Sequence, residues 1–99
     1  MSTPSRPNAE RVDLLRARLS AALHTERVEV VDESHLHVGH PGAREGKGHF
    51  RVLIVSDDFA GLRPLARHQL VYRSLGELMQ TDIHALSITA LTPKEAASS

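Results

Sequence analysis

The run that decides the fold is His49–Leu91, "HFRVLIVSDDFAGLRPLARHQLVYRSLGELMQTDIHALSITAL". Its first eight residues alternate: Phe50, Val52 and Ile54 fall on one side, Arg51, Leu53 and Val55 on the other, the period of a β-strand. The period then changes. Asp57 or Asp58 is expected to cap a short turn that Gly61 interrupts, and Pro64 suits the first turn of a helix. Leu65, His68, Val71, Tyr72, Leu75, Leu78 and Met79 keep helical spacing. Gly76 weakens the middle, so one bent helix and two short helices both fit. In "IHALSITAL", Leu86, Ile88 and Ala90 alternate with Ser87 and Thr89, which gives a second strand. A helical crossover of this kind lets its two strands run parallel, which a tight hairpin cannot do.

Upstream, Val28 and Val30 alternate around Glu29 in "RVEVVDE", a strand expected to pair antiparallel with 49–56. The stretch between them, "HLHVGHPGAREGKGH", is long for a connection in a compact domain, a length more often functional than decorative. Before it, Asn8 is expected to cap a helix that begins at Ala9, with Glu10 in its first turn. Val12, Leu15, Leu19 and Leu23 form its apolar stripe, with Arg11, Arg16 and Arg18 off it, and His24 lies at the negative end of the helix dipole. "TPKEAASS" reads as a frayed end with room for a helical turn after Pro93. The expected architecture is α/β: helix, strand, strand, helix, helix, strand, a three-stranded mixed sheet with helices on one face. The expected domain is 9–95, with disordered tails at 1–8 and 96–99.

A chain of 99 residues makes one domain with a small core. Its 12 basic and 12 acidic residues cancel, which argues against a purely electrostatic nucleic-acid clamp. It has no cysteine, so it has no disulfide and can offer a metal no thiolate. No apolar run reaches membrane-spanning length. "MSTPSRPN" lacks the apolar stretch of a signal peptide, so the cytoplasm is the expected compartment. Phe50, Phe59 and Tyr72 are the only aromatics, too few for base-stacking platforms.

From Phe59 and Gly61 through Arg67–His68, Val71–Tyr72 and Leu75 to Ile83–His84–Ala85–Leu86, the spacing resembles that of the BolA family, and "VEVVDES" fits as well. The likeness covers roughly residues 10 to 95. It implies a class II KH-like αββααβ domain. It also implies two roles: pairing with a monothiol glutaredoxin to share a 2Fe–2S cluster, and regulation of transcription by binding double-stranded DNA. In the first role the resemblance makes His84 one cluster ligand and a histidine of the long connection the other. Counting forward from "DES" gives His37; counting back from His49–Phe50 gives His40. Two positions depart from the family: Gln69 stands where arginine is common and Leu78 where a second glutamate is frequent.

The residues support part of this on their own. His84 shares the parity of Leu86 and Ile88, which places it at the edge of the apolar face; on these grounds alone it is a partly buried histidine with one hydrogen bond. His35, His37 and His40 sit among glycines, a loose frame unlike the closed four-ligand frame of structural zinc. Iron–sulfur clusters are normally held by thiolates, so a chain without cysteine needs a partner to bring them. His49 and His68 read first as structural, with His68 bonding across the helix–sheet layer. Arg63, Arg67, His68 and Arg73, with Lys94 nearby, are the candidate partner or nucleic-acid face; on these residues alone a solvated helix face is the better reading. "GHPG" matches a bare KH-type GxxG, but between strands rather than helices. There is no phosphate loop, dinucleotide fingerprint or supported Ser–His–Asp order, so no catalytic role is expected. Alone, the chain is expected to be a monomer or weak homodimer and to hold no cluster.

Overall fold

A computed structural model describes residues 7–34 and 48–98. Residues 1–6 of the expected tail at 1–8, His35, His37, His40, the "GHPG" stretch and Ser99 lie outside the described residues; Asn8, expected in that tail, already belongs to the first helix. The elements run α1 (Asn8–Ala22), β1 (Thr25–Asp32), β2 (Gly48–Ser56), a 3-10 turn (Asp57–Phe59), α2 (Pro64–Leu75), α3 (Leu78–Thr81), β3 (Ile83–Leu91) and α4 (Pro93–Ser98). This is the αββααβ order of a class II KH-like domain, with one short helix added.

The sheet order is β1-β2-β3. β1 pairs antiparallel with β2, with Val30 opposite Val52 and Val28 opposite Ile54. β3 pairs parallel with β2, with Leu86 beside Phe50 and Ile88 beside Val52. The helical segment between β2 and β3 makes that parallel pairing possible. Gly48 opens β2 because no side chain fits there: a Cβ would lie 2.5 Å from the Phe50 ring.

The core lies between the sheet and the helices. Phe50, Val52 and Ile54 of β2 meet Leu15 and Leu19 of α1, Val71 and Leu75 of α2, and Phe59 from the 3-10 turn, all fully buried. On the opposite face Arg27 pairs with Glu29, and Arg51 with Glu33 at 3.0 Å. Val55 is buried outside the main cluster. Gly76, at φ +56, ends α2, and its N–H donates to the Tyr72 carbonyl at 3.0 Å. Of the two arrangements open in sequence, the structure therefore has two short helices, because the left-handed backbone at Gly76 breaks the hydrogen-bond ladder.

Several local expectations are corrected. Asn8 does not cap α1: Pro7 holds that place, and the Asn8 Oδ1 instead accepts from Arg11 Nη1 at 3.0 Å. Arg11 is not off the apolar stripe but buried at 5% exposure, because Asp82 receives its charge. Neither Asp57 nor Asp58 caps the turn; the Ser56 hydroxyl accepts from the Asp58 N–H at 3.1 Å. Leu65 and Tyr72, counted among the helix's apolar positions, are 70% and 41% exposed, since only one stripe of α2 faces the core. The chain past Thr92 is not a frayed end. It is helical through Ser98, beyond the expected boundary at 95, because Thr92 and Glu95 cap it reciprocally: the Thr92 N–H donates to Glu95 Oε1 at 2.8 Å and the Glu95 N–H to Thr92 Oγ1 at 3.2 Å.

Val52 is fully buried at the centre of the sheet. Val52→Asp places an unpaired carboxylate there, at a cost of several kcal/mol. In a domain of this size, thermal unfolding followed by circular dichroism should then shift down by on the order of 10 °C or more. A melt unchanged from wild type would mean that the strand faces the other way.

Candidate functional site

The start of β3 is a tightly bonded junction. Arg11 Nε donates to Asp82 Oδ2 at 3.0 Å, with both side chains about 95% buried. Thr81 Oγ1 donates to the other carboxylate oxygen of Asp82 at 2.6 Å. The Gly48 N–H donates to the Asp82 carbonyl at 3.0 Å. One residue thus ties α1, the end of the crossover and the start of β2 together, just before Ile83 enters the core.

His84 follows directly and is exposed. It is not half-buried as its shared parity with Leu86 and Ile88 implies: the register is irregular at this level, and Ile83, not His84, enters the core. Its neighbour is His49, 6% exposed, with the ring centroids 4.9 Å apart and the planes tilted 51°. The His49 N–H donates to Ser34 Oγ at 3.0 Å, and the His49 carbonyl accepts from the Glu33 N–H at 2.8 Å. Because Gly48 pairs with Ile83, the connection that carries His37 and His40 rejoins the sheet beside His84. Among the described residues, no group of three or more His, Cys, Asp or Glu side chains is placed to hold a metal ion.

The basic candidates do not form one patch. Arg67 turns inward: Nε donates to the Leu62 carbonyl at 2.9 Å, Nη1 to the Ala90 carbonyl at 3.0 Å, and the same nitrogen meets Glu95 Oε1 at 2.6 Å. It joins α2, β3 and α4 and is 13% exposed, so its charge is used inside the fold. Arg63, at the N-terminal boundary of α2, and Arg73, in its last turn, are exposed. His68 is half-buried; no hydrogen bond across the layer is seen for it among the described residues. Gln69 is exposed, so the arginine missing there is missing from the surface, whereas Leu78 is buried in the core, which suits its apolar side chain.

Ser56, Asp58 and His24 also meet. Asp58 Oδ2 accepts from the His24 N–H at 2.8 Å and from the buried Ser56 hydroxyl at 3.3 Å, with His24 Nδ1 3.6 Å from the other oxygen. The His24 N–H holds the Asp58 carboxyl below its ordinary range. Here the carboxylate stands between hydroxyl and imidazole, so the imidazole cannot take the hydroxyl proton as a nucleophilic triad requires. Sequence reading missed Arg11, Asp82 and the closeness of His49 to His84. The spacing of Arg11, Leu15 and Leu19, four residues apart, was the one signal available for Arg11.

The fold and this junction define a small α/β domain that presents an imidazole at the start of its last strand. The BolA-like protein family model matches residues 19–95. The chain belongs to that family. It is 40% identical, over 84% of its own length and 76% of the other's, to a Vibrio cholerae protein named DNA-binding transcriptional regulator BolA. It is 43% identical to BolA-like protein 1 of Bos taurus, over 82% of this chain and 58% of that one. The solved BolA domain of SufE1 from Arabidopsis thaliana superposes with a TM-score of 0.77 at 40% identity, over 86% of this chain and 94% of that one. No helix among the described residues is long and apolar enough to cross a membrane.

The Arg67 contact makes Glu95 pH-sensitive. Arg67, followed by the Thr92 N–H, lowers the Glu95 pKa from 4.5 to about 2. A carboxylate depressed by folding stabilises the fold above its unfolded pKa and loses that contribution as pH falls toward the folded value. Glu95→Gln should therefore melt below wild type at neutral pH, and the gap should close between pH 4.5 and about 2. A gap that does not change with pH would show that the charge of Glu95 contributes nothing.

Proposed function

We propose that this chain is a non-catalytic cytoplasmic protein that binds a monothiol glutaredoxin and co-ligates a bridging 2Fe–2S cluster with it. The observation that carries the reading is the exposed imidazole of His84 beside the point where the His37- and His40-bearing connection rejoins the sheet. The donor set fits a shared cluster rather than a resident one. The chain has no cysteine, and His84 with one connection histidine supplies only imidazoles, leaving the thiolate positions to a partner. When bound, such a cluster supplies iron and sulfide for transfer and a one-electron couple, which imidazole ligation moves to higher potential. The residues of this chain orient and present: the Arg11–Asp82 pair fixes the backbone just before His84, and the sheet holds the strand behind it.

Mixing the protein with a cluster-loaded monothiol glutaredoxin, and following visible circular dichroism and complex mass, tests the reading. His84→Ala should abolish the mixed complex's distinctive spectrum while leaving the fold intact, since the side chain is exposed. His37→Ala and His40→Ala, made singly, should differ, and the variant that changes the spectrum identifies the second ligand. Wild-type spectra from His84→Ala and from the connection double variant alike would end the proposal.

A second reading, a DNA-binding regulator, has two observations in its favour: α2 exposes Arg63 and Arg73, and the Vibrio cholerae relative carries that name. Arg67 has no part in the test because it is used internally. Each phosphate contact contributes close to one unit of the salt slope, so Arg63→Ala with Arg73→Ala should flatten log K against log salt by about 2. An unchanged slope would remove α2 from any DNA interface.

A further inference from the structure

β3 is an edge strand, and the register shows which of its backbone groups face outward. The His49 carbonyl accepts from the Glu33 N–H, so His49, Arg51, Leu53 and Val55 turn their backbone groups toward β1. Phe50, Val52 and Ile54 turn theirs toward β3. In a parallel ladder such a residue bonds the two neighbours of the residue opposite it, so Phe50 uses Ala85 and Ser87, and Val52 uses Ser87 and Thr89. The N–H and C=O groups of Leu86, Ile88 and Ala90 therefore point away from the sheet. Arg67 Nη1 takes the Ala90 carbonyl at 3.0 Å. Among the described residues, no strand pairs with Leu86 or Ile88 on that side.

The two edges of the sheet differ in charge. β1 carries Glu26, Arg27, Glu29 and Asp32, and its register shifts between Thr25 and Arg27. Charged side chains and bulges of this kind keep an edge from taking up another strand. β3 has no Asp, Glu, Lys or Arg from Ile83 to Leu91. Leu86 and Ile88 are half-buried against the core, whereas Ala85, Ser87 and Thr89 are small and exposed on the other face. A strand that complements this edge is uncharged, with two aliphatic residues flanking a small polar one. β3 is itself such a strand.

We propose that β3 pairs antiparallel with β3 of a second copy, about a two-fold axis at Ser87, to give one six-stranded sheet. Leu86 then lies opposite Ile88 of the second copy, and Ile88 opposite its Leu86. These pairs exchange backbone hydrogen bonds and cover the half-buried side chains at the margin of each core. Ser87 faces Ser87 of the second copy in the non-hydrogen-bonded pair between them, with Cα atoms about 4.5 Å apart. Arg67, at Ala90, closes the ladder at both ends. So short a contact is much smaller than the roughly 20–30 residues a side of a standard interface, so the dimer is weak and grows with concentration. It concerns the isolated chain and is independent of the cluster reading.

The chain has no cysteine, so one introduced thiol reports the register without interference. In a glutathione redox buffer, Ser87→Cys should collect as a disulfide dimer that dithiothreitol releases. Thr89→Cys alone should not, since its two thiols lie four strand positions apart, beyond disulfide reach. Mixed with Ala85→Cys, it should form the crossed dimer. In sedimentation, the wild-type mass should rise toward two chains with concentration. Ser87→Lys, at an exposed position, should keep the melting temperature and abolish the rise, because it sets two ammonium groups opposite each other. An equimolar mixture with Ser87→Glu should restore it. A wild-type mass fixed at one chain up to the highest soluble concentration, a Ser87→Cys chain that gives no more dimer than Thr89→Cys, or a mass rise untouched by Ser87→Lys would overturn the proposal. A foreign extended peptide bound at β3 of a chain that stays single would overturn it as well.

Discussion

The fold rests on β2. It is the central strand, hydrogen-bonded to β1 on one side and to β3 on the other, and Phe50, Val52 and Ile54 on its inner face are fully buried. Burying apolar side chains of this size contributes about 1.5–3 kcal/mol each. Both helices that cover the sheet use this strip as their floor: Leu15 and Leu19 of α1 and Val71 and Leu75 of α2 join the same cluster. Register is therefore fixed from both edges, because a slip of one residue would turn the whole strip outward.

The Arg11–Asp82 pair is a second constraint of a different kind. A buried ion pair adds little net stability compared with apolar residues of the same size, while leaving one partner alone costs about 3–5 kcal/mol. Its effect is therefore to exclude alternatives. α1 docks where Arg11 reaches Asp82, and β3 begins where Asp82 also accepts from Thr81 and receives the Gly48 N–H through its carbonyl. The proposed functional residue, His84, comes directly after this clamp, so an exposed side chain stands on a rigid base.

The same economy of charge shapes the surface. Arg67 closes α2 against β3 and α4, Arg18 Nη1 donates to the Leu75 carbonyl at 3.3 Å at the end of α2, and Arg51 and Arg27 have acidic neighbours. Near-neutral composition is thus realised locally as well as globally. Arg63 and Arg73 are exposed at opposite ends of α2, a spacing that favours separate contacts over a continuous basic stripe.

The strands, the crossover helices, the parallel pairing and the family were legible in sequence, because each depends on a local period or on fixed spacing. The αββααβ order follows from alternation at Phe50–Ile54 and Leu86–Ala90 with helical spacing between. His84 was legible as a candidate from its strand and its motif. What sequence could not supply was pairing between distant residues. Arg11 finds Asp82 71 positions away, Arg67 finds the Ala90 carbonyl 23 positions away, and His49 meets His84 only because parallel register sets Gly48 beside Ile83. An arginine looks solvated until a partner buries it, and two histidines 35 positions apart look unrelated until the sheet brings them together. Periodicity shows which face of an element is apolar; only the folded chain decides which charged and ligating side chains share that face.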